Sequence, residues 1–139
     1  MTAIDSRELE NAYLAGLFDG EGCIYLTNVG YEVRYPGISI AQTDSDFLHV
    51  LKEKYGGQVN KSGTTLYFTG ASKIAEFLTR ILPYLILRHK EAFILIEICK
   101  LVPVSGKNMS DRDKLLRLKL EDMLEKAANN RKLFHKGRA

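Results

Sequence analysis

Asp19-Gly20-Glu21-Gly22 sets two carboxylates among glycines at the end of an apolar stretch that begins at Tyr13. Glycine tolerates the left-handed conformation of a helix end, so a helix through this stretch stops at Gly20 or Gly22 and leaves Glu21 at its C-terminus. That end of a helix carries about half a unit of negative charge, and a further carboxylate there calls for a cation. The chemistry these residue types suit is metal binding. Ala12, Gly16 and Gly20 recur every four residues and share one helical stripe, where the backbone of another helix can approach closely, flanked by Tyr13 and Leu17.

The elements that would position Glu21 follow from periodicity. A helix over 6–18, capped by Asp5 or Ser6, carries Leu9, Tyr13, Leu14, Leu17 and Phe18 as its apolar positions. Residues 23–29 alternate as a strand, with Ile24 and Leu26 on one face and Tyr25 and Thr27 on the other. Gly30 turns the chain into a second strand over 31–43, where Pro36-Gly37 predicts a bulge or an edge position. Asp44 or Ser45 caps a helix through Tyr55 that Gly56-Gly57 ends. A hairpin pairs 58–62 with 64–69 across Ser62-Gly63, Leu66 and Phe68 inward. Ser72 opens a helix to Leu82, His89 to Val102 is the most apolar helix, and Ser110 with Asp113 makes a capping box for a last helix over about 110–128. Residues 129–139 read as a basic tail, frayed from Arg131.

The whole is an α+β chain of 139 residues read as one domain, with its core over about 9–103. A four-stranded antiparallel sheet is covered by helices on one face. Glu97 interrupts the richest apolar run, so no membrane span is expected, and the polar first ten residues do not resemble a signal peptide; an intracellular, soluble protein is expected. Cys23 and Cys99, without metal-ligand spacing, read as reduced core thiols. The net charge of +3 is modest, but ten Lys and Arg against five acids from Lys107 onward make a basic flank that could meet phosphates. His49, His89 and His135 are dispersed and suggest no zinc site.

The stretch Leu14-Ala15-Gly16-Leu17-Phe18-Asp19-Gly20-Glu21-Gly22 resembles the signature of the LAGLIDADG homing endonucleases, and the order of elements is similar to that family's αββαββα core. The resemblance implies that two copies of the helix pack on a two-fold axis, each contributing its last acidic residue to a catalytic divalent ion. One copy of the motif here implies a homodimer with Ala12, Tyr13, Gly16, Leu17 and Gly20 in its interface. Glu21, and the carbonyl of Gly20, would hold the metal. Mg²⁺ suits hard oxygen ligands and keeps waters, and Mn²⁺ could substitute while Ca²⁺ binds without supporting cleavage. Gln42 matches the family's water-orienting polar residue and Lys90 its basic residue near the scissile phosphate. The arginine some members carry after that glutamine is absent from Thr43-Asp44-Ser45-Asp46, which leaves Arg88 or Lys90 to do more, while Asp19 reads as structural.

The same resemblance lays the sheet's open face along a DNA major groove. Tyr25, Thr27, Ser39, Gln58, Asn60, Ser62, Thr65 and Tyr67 are uncharged donors and acceptors suited to base edges, joined by Lys61 and Arg34. The implied activity is hydrolysis of both strands of double-stranded DNA at a long pseudo-palindromic site, leaving 3′ overhangs. The alternatives are an RNA-binding intron maturase or a non-cleaving DNA-binding regulator of the same fold, and an unrelated α+β dimer whose glycine helix merely packs.

Overall fold

The computed structural model describes residues 5–27, 34–103 and 109–136, with the side chains of 132–136 left aside. The first helix, α1 (Ser6–Glu21), starts at Asp5, whose carboxylate accepts the Arg7 N–H at 3.0 Å. It runs one turn beyond the expected Phe18. It buries Leu14, Ala15 and Phe18 and turns directly into β1 (Gly22–Thr27). The end of the first expected strand, the Gly30 turn, the start of the second strand, the whole 104–108 loop and the last three residues lie outside the described residues.

β2 (Tyr35–Ala41) pairs with β1 in unbroken antiparallel register, Gly22 opposite Ile40 through Thr27 opposite Tyr35. Of the bulge or edge position expected at Pro36-Gly37, the structure shows the edge position and no bulge. The reason lies in the partners: β4 reaches β2 only at Ile38, so the Pro36 end of β2 has a neighbour on one side and a missing N–H is tolerated. Gly37 serves a close approach instead, since a Cβ there would lie 2.2 Å from the Tyr25 ring.

After β2, Asp44 caps α2 (Ser45–Tyr55) by accepting the Phe47 N–H at 3.1 Å, and Gly56 ends it at φ 88°, as the sequence predicts. The hairpin that follows is shorter than expected. β3 (Gln58–Val59) has two residues and pairs with β4 (Thr65–Phe68). Asn60 closes the loop: its carbonyl accepts the Gly63 N–H at 3.0 Å, and its side-chain oxygen accepts the N–H groups of Thr64 and Thr65. An asparagine that binds its own neighbours in this way competes with the strand ladder, which is why pairing stops before Lys61.

The sheet order is β1-β2-β4-β3, all antiparallel, among the described residues. Ile38, Ile40, Leu66 and Phe68 point inward at 0–1% exposure. They meet α1, α3 (Ala71–Ile81) and α4 (His89–Cys99), with Phe68 stacked on Phe77 at 4.9 Å between centroids. Burial of such side chains contributes about 1.5–3 kcal/mol each. Gly70 rather than Ser72 precedes α3, and Pro83 falls in a 3₁₀ turn (Leu82–Tyr84) that leads toward α4.

Ser110 accepts the Asp113 N–H at 3.2 Å and starts α5 (Asp111–Lys136), which continues well past the expected 128 and includes Arg131, the start of the expected frayed tail. Leu124 and Ala127 bury against the rest, and Arg131 pairs with Glu91 of α4. No helix among the described residues is long and apolar enough to cross a membrane.

Candidate active site

Glu21 is the last residue of α1 and is exposed. The Gly22 N–H still donates to the Phe18 carbonyl, and no basic residue occupies the last helical turn. The C-terminal carbonyls therefore present uncompensated negative charge at Glu21. Gly22 is not left-handed as expected: its φ is −83°, an extended value open to any residue. What demands glycine is packing, because a Cβ would lie 2.5 Å from both the Phe18 ring and the Phe18 carbonyl oxygen.

Asp19 is structural, as read, but its partners are distant in sequence. Its two oxygens accept the backbone N–H groups of Ile86 at 2.8 Å, Leu87 at 3.2 Å and Arg88 at 3.0 Å. This ties the entry of α4 to the end of α1. Glu21 and Gln42 come together, lining an open cavity of about 360 Å³ with Ala41, Thr43 and Thr64. The Gln42 N–H donates to the Thr64 carbonyl at 2.9 Å, fixing the strand end. Its side-chain oxygen accepts from the Thr43 N–H at 2.9 Å, so the amide NH₂ is the group left to bind water.

Lys90 is exposed on the first turn of α4 and is not part of that lining. Arg88, at the N-cap of α4, is half-buried, and burial pushes its pKa down, the nearby Arg131 charge adding to this while Glu91, Cys23 and Asp19 oppose it. Asp19 and Cys23 flank the α1 end, and both act on the Arg88 charge, so Arg88 is a cation close to that region.

The outward face of the sheet forms a row across all four strands, Cys23, Ser39, Tyr67 and Gln58 lying opposite one another in turn. The Tyr67 hydroxyl donates to the Gln58 side chain at 3.1 Å. Tyr25 lies over Gly37, its pKa raised by burial first and by Cys23 and Tyr67 after. Thr27 donates to the Tyr35 carbonyl at 3.1 Å, and Thr65 stands opposite Ala41. Asn60 and Ser62 belong to the hairpin loop, where Ser62 bonds Thr64 at 2.8 Å, and Lys61 is exposed there. Arg34 lines a separate cleft of about 260 Å³ with Glu91, Glu121 and Glu125.

Cys23 corrects an expectation: it is exposed on the outward face, because Gly22 and Ile24 take the inward positions around it. The alternation with Ile24 carried that signal. Cys99 is buried as read, with burial pushing its thiol up to about 11.

On α1, Ala12, Tyr13, Gly16 and Gly20 are exposed and Leu17 is half-buried. A Cβ at Gly16 or Gly20 would meet nothing within 4 Å outside the helix's own backbone. Tyr13 stands edge-on to Phe47 of α2 at 6.4 Å. No group of three or more His, Cys, Asp or Glu that could hold a metal occurs among the described residues. The donor set at Glu21 is one carboxylate and main-chain oxygens, which suits a hard cation that keeps waters and completes its shell from other molecules.

The model of the LAGLIDADG-like domain family matches residues 8–82, and the chain belongs to that family. Its fold is that of solved homing endonucleases. The homing endonuclease I-CvuI, in complex with the I-CreI target, is 24% identical with a TM-score of 0.70, over 88% of this chain and 82% of that one. The archaeal intron-encoded I-Vdi141I, complexed with DNA, is 19% identical with a TM-score of 0.69, over 88% and 86%. I-TnaI is 19% identical with a TM-score of 0.64, over 93% and 96%. No curated protein sequence matches.

Proposed function

We propose that this chain is a site-specific, divalent-metal-dependent endonuclease of double-stranded DNA that works as a homodimer inside the cell, encoded within an intron or intein. The observation that carries the reading is the meeting of Glu21 and Gln42 in one open cavity at the end of a helix whose small-residue face is exposed among the described residues. One chain supplies one such carboxylate. A second copy across the Ala12, Tyr13, Gly16, Leu17 and Gly20 face supplies the other, so each DNA strand has its own.

In this reading Glu21 and the Gly20 carbonyl hold the cation, Mg²⁺ or Mn²⁺, with Ca²⁺ bound but unproductive. What a bound Mg²⁺ supplies there is a lowered pKa for the attacking water and stabilisation of charge at the leaving oxygen. The Gln42 amide NH₂ holds water without neutralising the cation. Arg88 and Lys90 offset the charge that develops on the phosphate. Tyr25, Thr27, Ser39, Gln58, Thr65 and Tyr67, with Asn60, Lys61 and Ser62 from the hairpin loop and Arg34 at the strand end, meet bases and phosphates along a pseudo-palindromic site. The product is a double-strand break with 3′ overhangs.

The test is incubation with a randomised double-stranded DNA library in Mg²⁺, beside a Ca²⁺ control, followed by sequencing of the ends. Discrete cuts in Mg²⁺ alone support the endonuclease. Tight DNA binding without cuts in any metal moves the assignment to a non-cleaving regulator. Preference for structured RNA moves it to a splicing maturase.

A further inference from the structure

The first turn of α4 is fixed from two sides. From α1, Asp19 spends both carboxylate oxygens on the backbone N–H groups of Ile86, Leu87 and Arg88. From α5, Arg131 donates its Nε to Oε1 of Glu91 at 2.6 Å, and Glu91 is only 4% exposed. Arg88 stands between these contacts. Its Nε is buried and has no hydrogen-bond partner among the described residues. Both nearby carboxylates are engaged elsewhere, and Arg88 stays charged because a guanidinium does not deprotonate in proteins. A buried carboxylate stripped of its partner would seek the nearest cation, since an unpaired buried charge is costly.

We infer that Arg131 is a positioning residue: by pairing with Glu91 it keeps that carboxylate from capturing the Arg88 guanidinium, which is thereby held free for a DNA phosphate at the Glu21 end of the molecule. The inference rests on the endonuclease reading for its substrate. It gives α5, whose Arg131 lies 40 residues beyond Glu91 in sequence, a part in the site.

Three variants of the full chain decide it, with single-turnover cleavage measured at saturating protein and DNA affinity measured against salt in Ca²⁺. Arg131→Met slows cleavage by roughly tenfold or more, as loss of a charge-stabilising group does. It also lowers the slope of log affinity against log salt by about one phosphate contact. Glu91→Gln added to Arg131→Met restores both, because the competing carboxylate is gone. Arg131→Lys, which keeps the pair, stays near wild type and covers the case in which Arg131→Met does not fold. Wild-type cutting and wild-type slope in Arg131→Met, or no recovery in the folded double variant, overturns the inference. A wild type that binds DNA and never cuts removes the endonuclease reading instead, and the salt slopes then decide the role of Arg131.

Discussion

The two faces of α1 are made of similar residues and meet opposite fates. Leu14, Ala15 and Phe18 are 1%, 0% and 0% exposed, with Phe18 edge-on to Phe77 at 6.3 Å. On the other face Tyr13 is 63% exposed, and Gly16 and Gly20 have open space where a Cβ would go. Among the described residues the chain satisfies one face with its own core and leaves the small residues of the other exposed. Small residues such as Gly16 and Gly20 on an exposed helix face are what a second backbone needs for close approach. Glu21 sits at the end of both faces, so the proposed dimer face and the proposed metal site meet at one place.

Substitutions should separate the two faces. Phe18→Ala empties a fully buried site and is expected to lower the unfolding free energy by about 3–5 kcal/mol, read from urea or guanidinium transitions. A loss under about 1 kcal/mol would mean that the buried face is not the one described. Gly16→Leu should do the reverse. It leaves the chain's own stability unchanged or raises it by up to about 1 kcal/mol through helix propensity. Sedimentation should then find monomer in place of the proposed wild-type dimer, and cutting should cease. A Gly16→Leu dimer that still cuts would break the comparison.

The smallest expected effect lies where α1 meets α2. The Tyr55 hydroxyl donates to Glu10, and Lys54 pairs with Glu10 at 2.9 Å. Burial first, and then the Glu10 contact, push Tyr55 up to about 12 from its usual 10. Because the folded value is the higher one, this contribution is whole below pH 10 and is lost as pH rises through about 12. Tyr55→Phe should flatten that alkaline part of the stability curve. The Tyr55 bond, then Lys54, hold Glu10 below its usual 4.5, so its share is present above pH 4.5 and fades on acidification.

What the sequence disclosed was whatever local rules govern. Asp44 and Gly56 bound α2 because capping is a matter of a few residues, and the Glu21 end is legible because glycines and carboxylates are contiguous. Long-range contacts decided the rest. Arg131 looks like a frayed tail until Glu91 of α4 is seen to hold it. Asp19 binds amides 67 to 69 positions away. Pro36 allows a bulge or an edge position, and only the short reach of β4 decides for the edge. Gly22 caps α1 as its position suggests, yet the close Phe18 ring, and not a left-handed backbone, is what requires glycine there.

The most direct test of the account is Glu21→Gln on the DNA site that the wild type cuts, with cleavage in Mg²⁺ and affinity in Ca²⁺ measured side by side. The neutral amide keeps the shape of Glu21 and removes its charge. Retained binding with cleavage abolished is the predicted result. Cleavage at the wild-type rate would take Glu21, and with it the shared metal site at the open end of α1, out of the mechanism.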